Sequence, residues 1–188
     1  MFSFVPKLIR ARFKTIKKSD GFSRRICCLS VLFSLALLPF NTFAKPLPSS
    51  LTAALLVKVA NYEHSLTLKD DINILVINDK AVADTLLDKI GVQIAGGKLQ
   101  GVKHVERYSG EEADIIFIGR MKGAEQLVEK LALKSILTVS GDDRLLEDGV
   151  VLCLYDNEGV PGILLNLESS KKSGLLWNPD ILNFATPY

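Results

Sequence analysis

The chain has 188 residues, with 23 basic and 21 acidic side chains and a formal charge of +2. Eight of the basic residues and one acidic residue precede residue 45, so residues 45–188 hold 15 and 20, a net charge of −5. That excludes a basic footprint for nucleic acid. The same 144 residues contain one cysteine, Cys153, which excludes an internal disulfide framework.

Lys7, Arg10, Arg12, Lys14, Lys17, Lys18, Arg24 and Arg25 crowd the start, and an apolar run follows from Ile26 to Phe40. Thr42-Phe43-Ala44 then sets small residues where a signal peptidase reads. This order predicts a secretory signal peptide over 1–44, cleavage between Ala44 and Lys45, and export of residues 45–188. The apolar run is 15 residues, short of the roughly 20 a spanning helix needs. An uncleaved anchor is the competing reading, because the basic region is long, and a later translation start would also explain that length. Cys27 and Cys28 precede the apolar core, the wrong place for lipidation. Ser23-Arg24-Arg25 is followed by residues that fit a twin-arginine signal poorly.

Lys45-Pro46-Leu47-Pro48 reads as an extended lead-in, and Ser49 or Ser50 as a helix cap. Leu51, Ala54, Leu55, Lys58, Val59 and Tyr62 recur at helical spacing. Ile72–Ile77 reads as a buried strand. Asn78-Asp79 then caps a helix carrying Val82, Leu86 and Ile90 on one face, ended at Gly91. Gly96-Gly97 marks a turn, and Val102–Tyr108 reads as a more polar strand near an edge.

Asp114–Ile118 is a short apolar strand. Gly119-Arg120 leads to a helix with Ala124, Leu127, Val128 and Leu131 toward the core, and Ile136–Val139 is a further buried strand. Val150–Tyr155 and Gly162–Leu167 flank Asp156-Asn157-Glu158-Gly159 as a hairpin with a turn of several residues. A short helix from Glu168 stops at Gly174, and Pro179 opens a last helical turn. Together these predict one α/β domain: a mixed, mostly parallel sheet flanked by helices, with a C-terminal β-hairpin and short terminal helices.

The chemistry-bearing motifs are sparse. Gly91–Lys98 imitates a phosphate loop but lacks the Ser or Thr after its lysine, and it follows a helix rather than a strand. His64 and His104 have no partner at ligand spacing, so no metal is expected. Neither a nucleophile–base nor an acid–base pair stands out, and neither an enzyme nor a cofactor is expected. Parallel strands would gather Asn78, Arg120 and Asp142 at the carboxyl end of the sheet, a candidate small-ligand rim. Trp177, with Leu176 and Phe184 close by, either closes the core or anchors a partner. Cys153 sits in an apolar strand pattern and reads as an inert thiol.

The order of segments resembles the YfiR family of periplasmic proteins. The resemblance rests on Leu51–Tyr62, on Asp114-Ile-Ile-Phe-Ile-Gly119, on Ile136-Leu-Thr-Val-Ser140, and on Leu165-Asn-Leu-Glu-Ser-Ser-Lys-Lys-Ser-Gly-Leu175 followed by Ile181-Leu182. Three features depart from the family pattern. Asp148-Gly149 stands where Gly-Gly is common, Asn157–Pro161 is a hairpin tip of its own, and Cys153 is unpaired where relatives carry disulfides.

The resemblance implies a non-catalytic repressor that binds the sensor domain of an inner-membrane diguanylate cyclase, lowering cyclic di-GMP and biofilm formation. A homodimer is compatible with it. Exposed apolar groups near Trp177 and the hairpin, namely Trp177, Leu176, Phe184 and Tyr155, are the expected partner surface. The alternative is a periplasmic small-ligand-binding component of an uptake or sensing system, using the rim.

Overall fold

The computed structural model describes residues 46–188; the predicted signal peptide and cleavage site lie outside the described residues. Eight strands form one sheet in the order β2-β3-β1-β4-β5-β6-β7-β8. They are β1 (Asp71–Ile77), β2 (Gln93–Ile94), β3 (Gly97–Val105), β4 (Ile115–Ile118), β5 (Leu137–Ser140), β6 (Leu152–Asn157), β7 (Val160–Leu165) and β8 (Thr186–Pro187). The helices are α1 (Ser49–Ala60), α2 (Lys80–Leu87), α3 (Ala124–Leu131) and α4 (Leu167–Lys172). Among the described residues, no helix is long and apolar enough to cross a membrane.

The five central strands β3-β1-β4-β5-β6 are parallel. β2 runs antiparallel to β3 and β7 antiparallel to β6, so the sheet is mixed as the sequence predicts. β4, a continuous apolar run, and β5, Leu137-Thr138-Val139-Ser140, are buried at every position, as strands between two layers must be. Alternation then sorts the side chains. Ile74, Val76, Ile115, Phe117, Leu137 and Val139 face a core shared with α1 and α2. Leu75, Ile77, Ile116 and Ile118 face a second core under α3. Each large aliphatic side chain so buried is worth about 2 kcal/mol.

The chain leaves β1 through α2 to β3 on one side, then crosses back to β4 on the other. The connections out of β1 and β4 therefore diverge at their carboxyl ends, the switch point where doubly wound folds form a crevice.

Several local expectations are corrected. Ser49 and Ser50 lie inside α1; Pro48 takes the cap position, and the Thr52 hydroxyl donates back to its carbonyl at 3.1 Å. The buried face of α1 is Thr52, Ala53, Leu56, Val59 and Ala60, rotated from the one predicted. The helix is apolar on nearly all sides, so periodicity did not fix its phase. α2 is capped by Asp79, which accepts from the Val82 amide at 3.0 Å, but it ends at Leu87 and leaves Ile90 49% exposed.

β3 begins at Gly97, five residues before the predicted start, and pairs with β2 across Ala95-Gly96. A register shift opposite Ile72 and Asn73 breaks its alternation, which hid the strand. The late hairpin has a two-residue turn, Glu158-Gly159, both left-handed, with Asn157 paired to Val160. β8 adds a short strand parallel to β7 that the sequence did not suggest.

Candidate functional sites

The carboxyl rim is built from three loop starts. Asn78 follows β1 in a left-handed conformation (φ +53°), and its side-chain amide donates to the Arg120 carbonyl at 2.7 Å. Gly119, after β4, has no side chain because a Cβ there would lie 2.6 Å from the Asn78 carbonyl oxygen. After β5, the buried Ser140 hydroxyl donates to the Ile118 carbonyl at 2.8 Å and accepts from the Asp142 amide at 3.0 Å. The rim residues named from sequence are thus brought together, and backbone hydrogen bonds brace them.

Asp142 is the polar centre, with a side chain only 8% exposed. Arg144 clasps it in a fork, Nε donating to Oδ1 at 2.8 Å and Nη2 to Oδ2 at 2.5 Å. Arg120 stands off at 3.6 Å with 66% of its side chain exposed. The Arg144 hydrogen bonds, against the opposing effect of burial, hold the Asp142 carboxyl below its usual range. The same pair raises the already high affinity of Arg144 for its proton. Arg144 was missed in the sequence, although Asp142-x-Arg144 is the local signal for such a fork.

An open cleft of about 440 Å³ beside the rim is lined by Arg120, Lys122, Glu125, Asp142, Arg144 and Asp148 among others. Three cations and three carboxylates share it, so charge alone selects neither sign of ligand. Among the described residues, no group of His, Cys, Asp and Glu could hold a metal ion.

The second site is the C-terminal strap, residues 175–188. Glu63, fully buried just past α1, accepts from the Leu66 amide at 2.9 Å, the Ser65 hydroxyl at 2.5 Å and the Leu176 amide at 3.2 Å. The His64 amide donates to the Leu176 carbonyl, and the Asn178 amide to the Tyr62 carbonyl. Trp177 forms an isolated bridge with Glu63, and its indole N–H donates to the Ser170 hydroxyl at 2.5 Å. Phe184 meets Tyr62 edge-on at 4.7 Å, with the Lys58 ammonium 5.1 Å from its ring centre.

Trp177 and Phe184 are half-buried and pack on the core, while Leu176 and Leu182 on the same strap are 65% and 52% exposed. Tyr155 lies apart in β6, its ring over Gly162 of the facing strand. The strap therefore joins three of the four predicted partner residues and leaves Tyr155 elsewhere. Glu63 was missed because its partner is 113 residues away in sequence.

A family model for YfiR/HmsC-like proteins matches residues 49–186, from the first residue of α1 into β8. The chain belongs to the YfiR/HmsC-like family. No curated protein matches it. The segments that carry the resemblance in the sequence now have places: α1, β4, β5, and the run from β7 through α4 into the strap. The rim of this YfiR/HmsC-like domain lies within the matched span, and so does the strap up to residue 186. Cys153, the one described cysteine, is buried in β6, and burial pushes its thiol up to about 12. That leaves almost no thiolate for redox chemistry.

Proposed function

We propose that residues 45–188 act in the periplasm as a repressor of a membrane diguanylate cyclase, binding its sensor domain and so lowering cyclic di-GMP and biofilm formation. The family match over 49–186 carries this reading. Repression needs no chemistry from this chain. It needs tighter binding to the inactive state of the sensor than to the active one, and each tenfold difference shifts that balance by about 1.4 kcal/mol. The contact surface is the strap, where Leu176 and Leu182 stand exposed in front of Trp177 and Phe184.

The test is affinity capture from solubilised membranes with the exported protein as bait. Retention of a membrane protein with a periplasmic sensor and a cytoplasmic cyclase domain is expected. Leu176→Asp should weaken that capture about tenfold while leaving the fold intact, since the side chain is mostly in solvent. If no such protein is retained, the repressor reading fails.

The cleft of about 440 Å³ beside the rim favours a second reading, a small-ligand-binding component of an uptake or sensing system. It predicts a thermal shift with an anionic metabolite that Arg120→Ala abolishes.

A further inference from the structure

Two small cavities, about 170 and 200 Å³, lie at the carboxyl end of the sheet. Pro46, Asp79, Phe117 and Gly141 line both. One continues to Arg120 and Asp142 on the rim; the other continues to Ser49 and Thr52 at the start of α1. Pro46, within the extended lead-in, therefore borders both parts of this trough. Neither part reaches the roughly 300 Å³ at which small-ligand pockets begin. The trough floor, with Phe117 and the Gly141 backbone, is common to both.

The arm is fastened at Pro48, whose carbonyl accepts from the Leu51 and Thr52 amides at 3.0 and 2.9 Å, and upstream of it by the packing of Leu47 on the core. Pro46 and Pro48 are exposed, and Leu47 is half-buried against the core. Its prolines favour an extended backbone before any contact is made, which lowers the entropy of lying in a groove. The family match starts at Ser49 and leaves the arm outside it.

We infer that this trough is a docking groove for an extended chain segment, and that its resident occupant is the chain's own arm, Pro46-Leu47, hinged at Pro48 and anchored by Leu47. The inference does not depend on the repressor reading. It makes the switch-point crevice a self-occupied site, opened when the arm lifts.

A cysteine on the groove floor reads this directly. A Cβ at Gly141 meets nothing nearer than the Leu154 carbonyl oxygen at 3.8 Å, so Gly141→Cys fits without strain. Cys153, buried with its thiol near 12, supplies only a slow background. The exported Gly141→Cys protein is treated with iodoacetamide, and each site is followed by peptide mass, with and without Leu47→Asp. Expected is at least a tenfold faster alkylation of position 141 in the Leu47→Asp background, with Cys153 unchanged and Leu47→Met behaving like the parent. Equal rates at position 141 in the two folded proteins would overturn the inference. So would a proportional rise at Cys153, which would make the arm a staple of the whole fold rather than a removable occupant. If Leu47→Asp does not fold, Leu47→Ser is read by the same two sites.

Discussion

The carboxyl rim and the C-terminal strap are both held by a carboxylate that several donors reach, yet they differ in kind. At the rim, Asp142 is served by Arg144, whose side chain is largely in water. At the strap, Glu63 has no exposure and is served mainly by backbone amides from two distant parts of the chain. Removing a rim charge lets water replace what is lost. Removing the buried carboxylate strands amides that water does not reach, and an unsatisfied buried group costs its full desolvation. Similar-looking clusters thus have unequal weight: one tunes a surface, the other holds the fold shut.

The comparison is broken most directly at Glu63. Glu63→Ala should cost about 3 kcal/mol in urea unfolding, because at least two amides lose their acceptor. A cost below that of any rim substitution would reverse the ranking. Phe184→Ala should come next, at about 2 kcal/mol, through lost contact with Tyr62 and Lys58. Trp177→Phe keeps most of the packing but deletes the hydrogen bond to Ser170, and should cost about 1 kcal/mol.

The rim effect should be smaller and depend on pH. The Asp142 carboxyl is held below its ordinary 3.8 in the folded protein, so its contribution is present above that value. It is lost as pH falls through the lower folded value. Stability measured by denaturant from pH 6 to pH 2 should show an acid-side loss that Asp142→Asn lacks. The smallest effect belongs to Cys153. A reductant should leave the melting temperature of residues 45–188 unmoved, since the thiol is buried and unpaired in this domain.

Much of this was legible in the sequence where one element decides its own environment. β4 announced itself as an unbroken apolar run, and β1 and β5 as nearly apolar ones. The core face of α3 matched the predicted residues, Ala124, Leu127, Val128 and Leu131. The rim was legible because parallel strands must bring their carboxyl ends together. What escaped needed knowledge of a partner. The phase of α1 depends on which apolar side the sheet takes. The start of β3 was hidden by glycines and a register shift. Glu63 reads as an ordinary solvated acid until Leu176 arrives to meet it.

That meeting has a consequence for how the domain is made. The bond from Leu176 to Glu63 closes a loop of 113 residues, among the longest closures in the chain. Closing so long a loop is slow and carries an entropic cost that local contacts do not. A polypeptide emerging from its amino end has α1 ready early, but the strap's hydrogen bond to Glu63 waits until its last dozen or so residues appear. The fastening becomes available only when nearly all of the polypeptide is present to fold.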